Sequence, residues 1–266
     1  MDITANSKLV EFELNWVNHA KDHILQVQFP VENDIYSTLA ENHFCSIERR
    51  FDPQYNIYEH IPAKAYTELK MNTAPMQRFV QTNEIAIFNE GLAEYEIFQN
   101  NLYLTVLRAT GYLSKANTLT RAAYAGPDLK TPDNQCLRHN TARYAIHPKT
   151  SISELYRLAE NFMGCTTAME SNNKYSEEIE LENSLIRWVN PNIIATRYKY
   201  DEETKGINLH LLNISNYTQS INITSRDIIE FIKETNFLNE TIKELPQDKA
   251  IQFNSHEVKS LIIKLN

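Results

Sequence analysis

Asp128 and Asp133 are the two carboxylates whose setting invites a catalytic reading, because both fall in a long stretch after Arg108 that has no periodicity and holds Gly126-Pro127 and Thr131-Pro132. Two acids flanking a bond can serve as proton donor and as nucleophile or base. The plainer reading is that acids in a loop are solvated. Glu94 and Glu96 alternate with Tyr95 and so share one face of a strand, which suits a surface or a stabilised turn. His19 and His23 have the four-residue spacing that would suit zinc on a helix. They fall between two strand patterns instead, without a neighbouring glutamate or a third ligand, and read as a solvated turn. His139 and His147 have no evident partner, and Cys45, Cys136 and Cys165 form no C-x-x-C pair. These residues predict no metal site. Ser114 and Ser151 lack a G-x-S-x-G setting, so a serine hydrolase is not supported.

The elements that must position such groups read mainly as strands. Residues 84–88, 95–98 and 102–107 are rich in β-formers, with turn chemistry at 89–91 and 99–101. Upstream, Val10, Phe12, Leu14 and Trp16 alternate with Glu11, Glu13 and Asn15, and Leu25, Val27 and Phe29 alternate with Gln26 and Gln28. This predicts two half-buried strands paired like a hairpin through residues 17–23. His43, Cys45, Ile47 and Arg49 predict a third strand, residues 53–76 a wandering connection with Pro53, Pro62 and Pro75, and residues 141–147 a further strand. Ser151 and Glu154 form a capping-box pattern ahead of an apolar stripe, Leu155, Leu158, Ala159 and Phe162, with Gly164 placed to end the helix. The polar run 171–182 reads as a linker, so the domains are expected to be 1–176 and 177–266. Beyond it, residues 193–200, 206–212, 219–224, 251–253 and 258–265 are strand candidates, while 228–232 fits strand or helix. Short strands at this spacing predict an all-β class and a sandwich.

With 266 residues the chain can bury a sizeable core. A net charge of −8 leaves no basic excess to neutralise phosphates, which argues against a nucleic-acid partner. Only five glycines are present, so Gly-rich phosphate loops are a poor reading. Residues 1–10 carry no signal-peptide pattern and no apolar run is long enough to span a bilayer, which predicts no membrane partner. Three widely spaced cysteines fit free thiols in a reducing cytoplasm.

An ordered set of short motifs also resembles the C-terminal region of glycoside hydrolase family 38, the α-mannosidases. The pieces are Asn89-x-Gly91-Leu92-x-Glu94-Tyr95-Glu96, Leu104-Thr105-Val106-Leu107-Arg108, Gly111-x-Leu113-Ser114, Arg121, Ala125-Gly126-Pro127 and Thr131-Pro132-x-x-Gln135. More weakly, Arg197 to Lys199 ahead of Leu211-Leu212-Asn213 resembles the family's small terminal β-domain. The resemblance implies a large antiparallel β-sandwich of the galactose-mutarotase-like supersandwich kind, truncated at its N-terminus, then a smaller β-sandwich. It implies that the intact enzyme is a hydrolase acting on α-mannosides by a zinc-assisted retaining mechanism. The nucleophile, the acid/base and the zinc ligands would then lie on an N-terminal catalytic barrel that this sequence lacks. The chain alone is thus expected to be inactive, with no cofactor of its own. Substrate binding is expected, if anywhere, at Arg121, Tyr124, Gly126, Pro127 and Asp133. Arg121 offers a fork of donors and Tyr124 a face for a sugar ring. The competing view of this loop is structural, with Arg121 paired to an acid and Gly-Pro only turning the chain. A free-standing carbohydrate-binding or scaffold module remains the alternative function. A start inside a sandwich is further expected to expose a sheet edge, covered by a second copy or another chain.

Overall fold

The computed structural model describes residues 7–56, 59, 70–118, 121–164, 184–202 and 204–266. The chain divides into two compact units, Met1–Met163 and Gly164–Asn266. The expected boundary at 176/177, the linker 171–182 and Cys165 lie outside the described residues. So does Pro62, with most of the expected connection 53–76.

The first unit contains β1 (Val10–Val17), β2 (His23–Pro30), β3 (Ser37–Asn42), β4 (Cys45–Arg50), β5 (Thr73–Pro75), β6 (Phe79–Gln81), β7 (Ile85–Asn89), β8 (Glu94–Phe98), β9 (Asn101–Ala109), β10 (His139–Pro148) and the helix α1 (Ile152–Met163). They make a six-stranded sheet in the order β1-β10-β7-β6-β3-β4 and a four-stranded sheet in the order β2-β9-β8-β5. The pairs are antiparallel. Phe12, Leu14, Ala40, Val80, Ile87 and Tyr144 of the larger sheet pack with Val27, Phe29, Ala74, Tyr95, Ile97, Leu102 and Leu104 of the smaller one. Tyr144 stacks on Phe12 at 4.9 Å and meets Phe29 edge-on at 5.7 Å, so one ring joins the two sheets. The buried Tyr95 hydroxyl would be costly unpaired, and it lies 2.6 Å from the Thr38 hydroxyl.

Two expectations fail in instructive ways. β1 and β2 do not form a hairpin: Phe12 lies opposite Tyr144 in one sheet, and Val27 lies opposite Leu104 in the other. The intervening residues 18–22 bond elsewhere, the Asn18 N–H donating to the Arg138 carbonyl at 3.0 Å, so the link carries the chain across the sandwich. The strand expected at 43–49 is the second arm of a hairpin, β3–β4, turned at His43-Phe44 with Phe44 at φ 57°. β3 shows no alternation in sequence because Thr38, Ala40 and Glu41 are all buried.

The helix forms as its signals require. The Ser151 hydroxyl accepts the Glu154 N–H at 3.3 Å, and Leu155, Leu158, Ala159 and Phe162 are buried together with Tyr156. Tyr156 meets Phe79 of β6 edge-on at 5.1 Å, so α1 covers the outer face of the six-stranded sheet. No helix among the described residues is long and apolar enough to cross a membrane.

The second unit contains β11 (Ile186–Arg187), β12 (Ile193–Asp201), β13 (Gly206–Asn213), β14 (Gln219–Ile221), β15 (Thr224–Ser225), β16 (Ile229–Thr235), β17 (Thr241–Leu245), β18 (Ile251–Phe253) and β19 (Val258–Leu265). A five-stranded sheet, β12-β13-β19-β16-β17, packs Ile207, Leu209, Leu211, Ile232, Leu261 and Ile263 against residues of two short pairs, β11–β15 and β14–β18. The ambiguous stretch 228–232 is strand, 219–224 splits into two, and β11 and β17 add strands the sequence pattern did not mark. Asn213 ends β13 because its fully buried amide donates to the carbonyls of Tyr217 at 2.7 Å and Asn254 at 2.8 Å, holding two turns at once. The class is all-β, as expected, with one helix among the described residues.

Candidate functional site

The long loop, residues 110–138, leaves the four-stranded sheet at Ala109 and enters the six-stranded sheet at His139. It therefore crosses the sandwich alongside the β1–β2 link, and four residues, Asn18, Asp22, Gly111 and Gln135, stitch the two crossings together. The Gln135 side chain accepts the Asp22 N–H at 2.8 Å and donates to the Asp22 carboxylate at 2.9 Å. That carboxylate oxygen also accepts the Gly111 N–H at 2.9 Å. Asn18 adds a bond to the Gln135 carbonyl at 2.8 Å. Asp22 adopts φ 51°, a left-handed conformation that Asp tolerates. Gly111 has a steric reason to be glycine: a Cβ there would stand 2.7 Å from the Gln135 amide nitrogen and 3.2 Å from Asp22. The Gln135 donor, then the Gly111 N–H, hold the Asp22 carboxyl below its ordinary pKa.

Above this clamp the two limbs of the loop pair with one another. Tyr112 bridges Lys130, the Leu113 N–H donates to Leu129 at 2.9 Å, and the Thr131 N–H donates to Gly111 at 2.9 Å. The Ser114 hydroxyl accepts the N–H groups of Ala125 at 3.0 Å and Gly126 at 3.1 Å, which folds the tip back. At that tip Arg121 forms a β-bridge with Thr118, and the exposed Tyr124 donates its hydroxyl to Asp128 at 3.1 Å, which raises the phenol pKa. A Cβ on Gly126 would meet only the Ser114 side chain, at 3.9 Å, so space does not demand glycine there. Arg121, Tyr124, Gly126 and Pro127 thus share one exposed tip. Asp133 lies apart, exposed in a 3-10 turn, Pro132–Gln135, at the foot of the loop.

A cavity of about 450 Å³ opens where the loop meets the four-stranded sheet, lined among others by Asp22, His23, Arg108, Tyr112, Lys115 and Thr118. None of the five expected binding residues lines it. The sequence does not mark the clamp residues as functional. Gly111 and Gln135 stood within the motifs, but their partner Asp22 sat in a link read as a solvated turn. No local pattern marked Asp22, because its partners Gly111 and Gln135 lie 89 and 113 residues further along the chain.

The expected carboxylate pairs are engaged separately. Glu94 accepts the Thr105 hydroxyl at 2.8 Å and pairs with Arg108, while Glu96 accepts the Gln26 amide at 3.0 Å. Among the described residues no three His, Cys, Asp or Glu side chains converge, so these residues do not supply the ligand set of a zinc ion.

No family model matches the chain. It is 22% identical over 273 aligned residues to a curated relative from Halalkalibacterium halodurans named as a mannosylglycerate hydrolase, covering 98% of this chain and 28% of the relative. An α-mannosidase from Enterococcus faecalis V583 superimposes with a TM-score of 0.72 at 21% identity, covering 98% of this chain and 28% of that structure. A glycosyl hydrolase family 38 protein from Enterococcus faecalis gives 0.73 at 20% identity, with 98% and 29% covered. The resemblance read from the motifs holds: this chain is similar, over nearly its whole length, to about 28% of a family 38 α-mannosidase.

Proposed function

We propose that the chain forms supporting β-domains of an α-mannoside-cleaving glycosidase. On this reading the clamped loop 110–138 presents Arg121, Tyr124, Gly126, Pro127 and Asp133 toward the sugar. The acid, the nucleophile and the zinc ligands are supplied by a catalytic barrel outside this sequence. The observation that carries the proposal is the match to two solved structures at TM-scores of 0.72 and 0.73, over 28% and 29% of their lengths. A reducing compartment is part of the same proposal, on the free thiols Cys45 and Cys136.

The test is direct. The purified chain, supplied with zinc, is incubated with an aryl α-mannoside, and release of the aryl group is followed. Background rates are expected. Turnover that scales with the amount of chain and disappears with a chelator would overturn the reading.

A further inference from the structure

The five-stranded sheet of the second unit turns Ile207, Leu209 and Leu211 of β13 into its core, so alternation puts Asn208 and His210 on its outer face. Both are buried there, at 2% and 8% exposure. What reaches them is the tip of the β16–β17 hairpin, residues 236–240. Thr235 lies opposite Ser260, and Ser260 opposite His210, so the tip bends back across β19 to arrive at β13. There the Phe237 ring meets the His210 ring edge-on at 5.1 Å, and the Asn208 amide donates to the Asn239 side-chain oxygen. The shape of the tip is set separately. Asn236 Oδ1 accepts the N–H groups of Leu238 at 2.9 Å and Glu240 at 3.0 Å, and its amide donates to the Glu240 carboxylate at 2.6 Å. The tip can therefore move as a preformed unit. Its apolar side chains hold it lightly, Phe237 being 60% and Leu238 80% exposed.

His210 makes that contact depend on charge. Its Nε2 is buried with no hydrogen-bond partner among the described residues, so an imidazolium would bury an N–H without an acceptor. Arg197 stands directly opposite on β12 and shares its face. The next row of this face holds Lys199 opposite Asn208, Lys233 opposite Ile262, and Glu244 opposite Lys233. Asp201 and Lys264 lie further along, opposite Gly206 and Phe231. Glu234 and Lys259 fall on the core face, opposite Leu261 and Leu211. The tip contributes Glu240, exposed and bonded to Asn236. Burial first, and then Arg197, hold His210 below its ordinary pKa of 6.5. A ring–cation contact with Phe237 offsets only part of what an unpaired buried charge costs. Water would supply the rest, and the lightly held tip is the cover that can move to admit it.

We propose that the 236–240 tip is a proton-released latch, resting on the sheet while His210 is neutral and lifting when His210 takes up a proton. Because the closed form has the lower pKa, the latch is complete above about pH 6.5. It weakens as the pH falls below that value and levels off once the closed form is protonated too. The inference does not rest on the glycosidase proposal, since one is read from side-chain signals and the other from turnover.

The experiment is an NMR pH titration of the full chain from about pH 8 to 5, following the His210 and Phe237 rings and the Asn208 side-chain amide. The expected result is a His210 midpoint below 6.5. At that same midpoint the His210–Phe237 ring NOEs are lost and the Asn208 amide shifts, while the Leu209 and Leu261 backbone amides stay in place. His210→Gln is expected to hold the Phe237 and Asn208 signals constant over the range. Arg197→Gln, at an exposed position, is expected to raise the His210 and tip midpoints together, by about threefold or more in proton affinity. Should His210→Gln fail to fold, the Arg197 variant carries the test alone. A His210 midpoint at or above 6.5 overturns the inference, as do ring NOEs that survive below the midpoint. So do tip signals that still titrate in folded His210→Gln, midpoints that fail to rise together in Arg197→Gln, or loss of the Leu209 and Leu261 amides in step with the tip.

Discussion

The two sheets of the first unit face the same core but differ on their outer sides. The six-stranded sheet is roofed by α1, so β6 and β7 are buried on both faces, and residues 85–88 read as a nearly unbroken apolar run. The four-stranded sheet has a polar outer face, where Gln26, Glu94, Glu96, Thr105 and Arg108 bond to one another across strands. A covered face fixes packing, whereas a face built from linked polar groups can offer donors and acceptors to a ligand. The comparison teaches where to look for binding on this scaffold: on the second face, and on the loop clamped to its edge.

Truncation on the two outer faces should cost very different amounts. Phe79→Ala removes a side chain that is fully buried beneath α1 and is expected to destabilise the chain by about 3–5 kcal/mol. Tyr103→Ala, on the uncovered face, should cost about 1 kcal/mol. Urea unfolding of both variants measures the gap, and equal losses would erase the distinction between the sheets. Next in size is Gly111→Ala, whose Cβ would displace the Gln135 amide and break its bond to Asp22. A loss of about 1–2 kcal/mol is expected, with faster proteolysis inside residues 110–138. Unchanged cleavage would mean that the clamp does not order the loop.

Two smaller effects test the roof itself. Ser151→Ala removes the cap of α1 and should cost about 1 kcal/mol in the same unfolding measurement. Glu154, one turn on, receives Arg157 at 2.7 Å and Lys8 at 3.0 Å, and its carboxyl falls from 4.5 to about 2, the Arg157 bonds contributing most. Because the folded-state value is the lower one, this stabilisation is complete above pH 4.5 and is lost as the pH falls toward 2. Glu154→Gln should therefore lack that part of the acid loss. The difference from the parent is expected to be about 1 kcal/mol or less, since the partners are largely exposed. Parallel curves for parent and variant between pH 5 and 2 would remove Glu154 from the account.

Local chemistry made part of this legible. Ser151 and Glu154 announced the helix, and alternation from Val10 to Trp16 and from Leu25 to Phe29 announced two strands correctly. Which sheet each strand joins was not legible, because a period of two marks a face and says nothing of the neighbour. The β3–β4 turn escaped because Phe44 is not a residue that advertises a positive φ. For the loop, the motifs gave Gly111, Ser114 and Gln135 as positions but not as roles. The partner that Gly111 and Gln135 share comes from far along the chain, Asp22 lying 89 residues before Gly111 and 113 before Gln135.

Because Gly111 and Gln135 fasten the loop at its two feet, everything between them can change length without reopening the sandwich. Closing a longer span adds only about 0.6 kcal/mol for each doubling. The tip around Tyr124 to Pro127 is accordingly a port for grafting: a foreign peptide inserted there would be displayed from a clamped base.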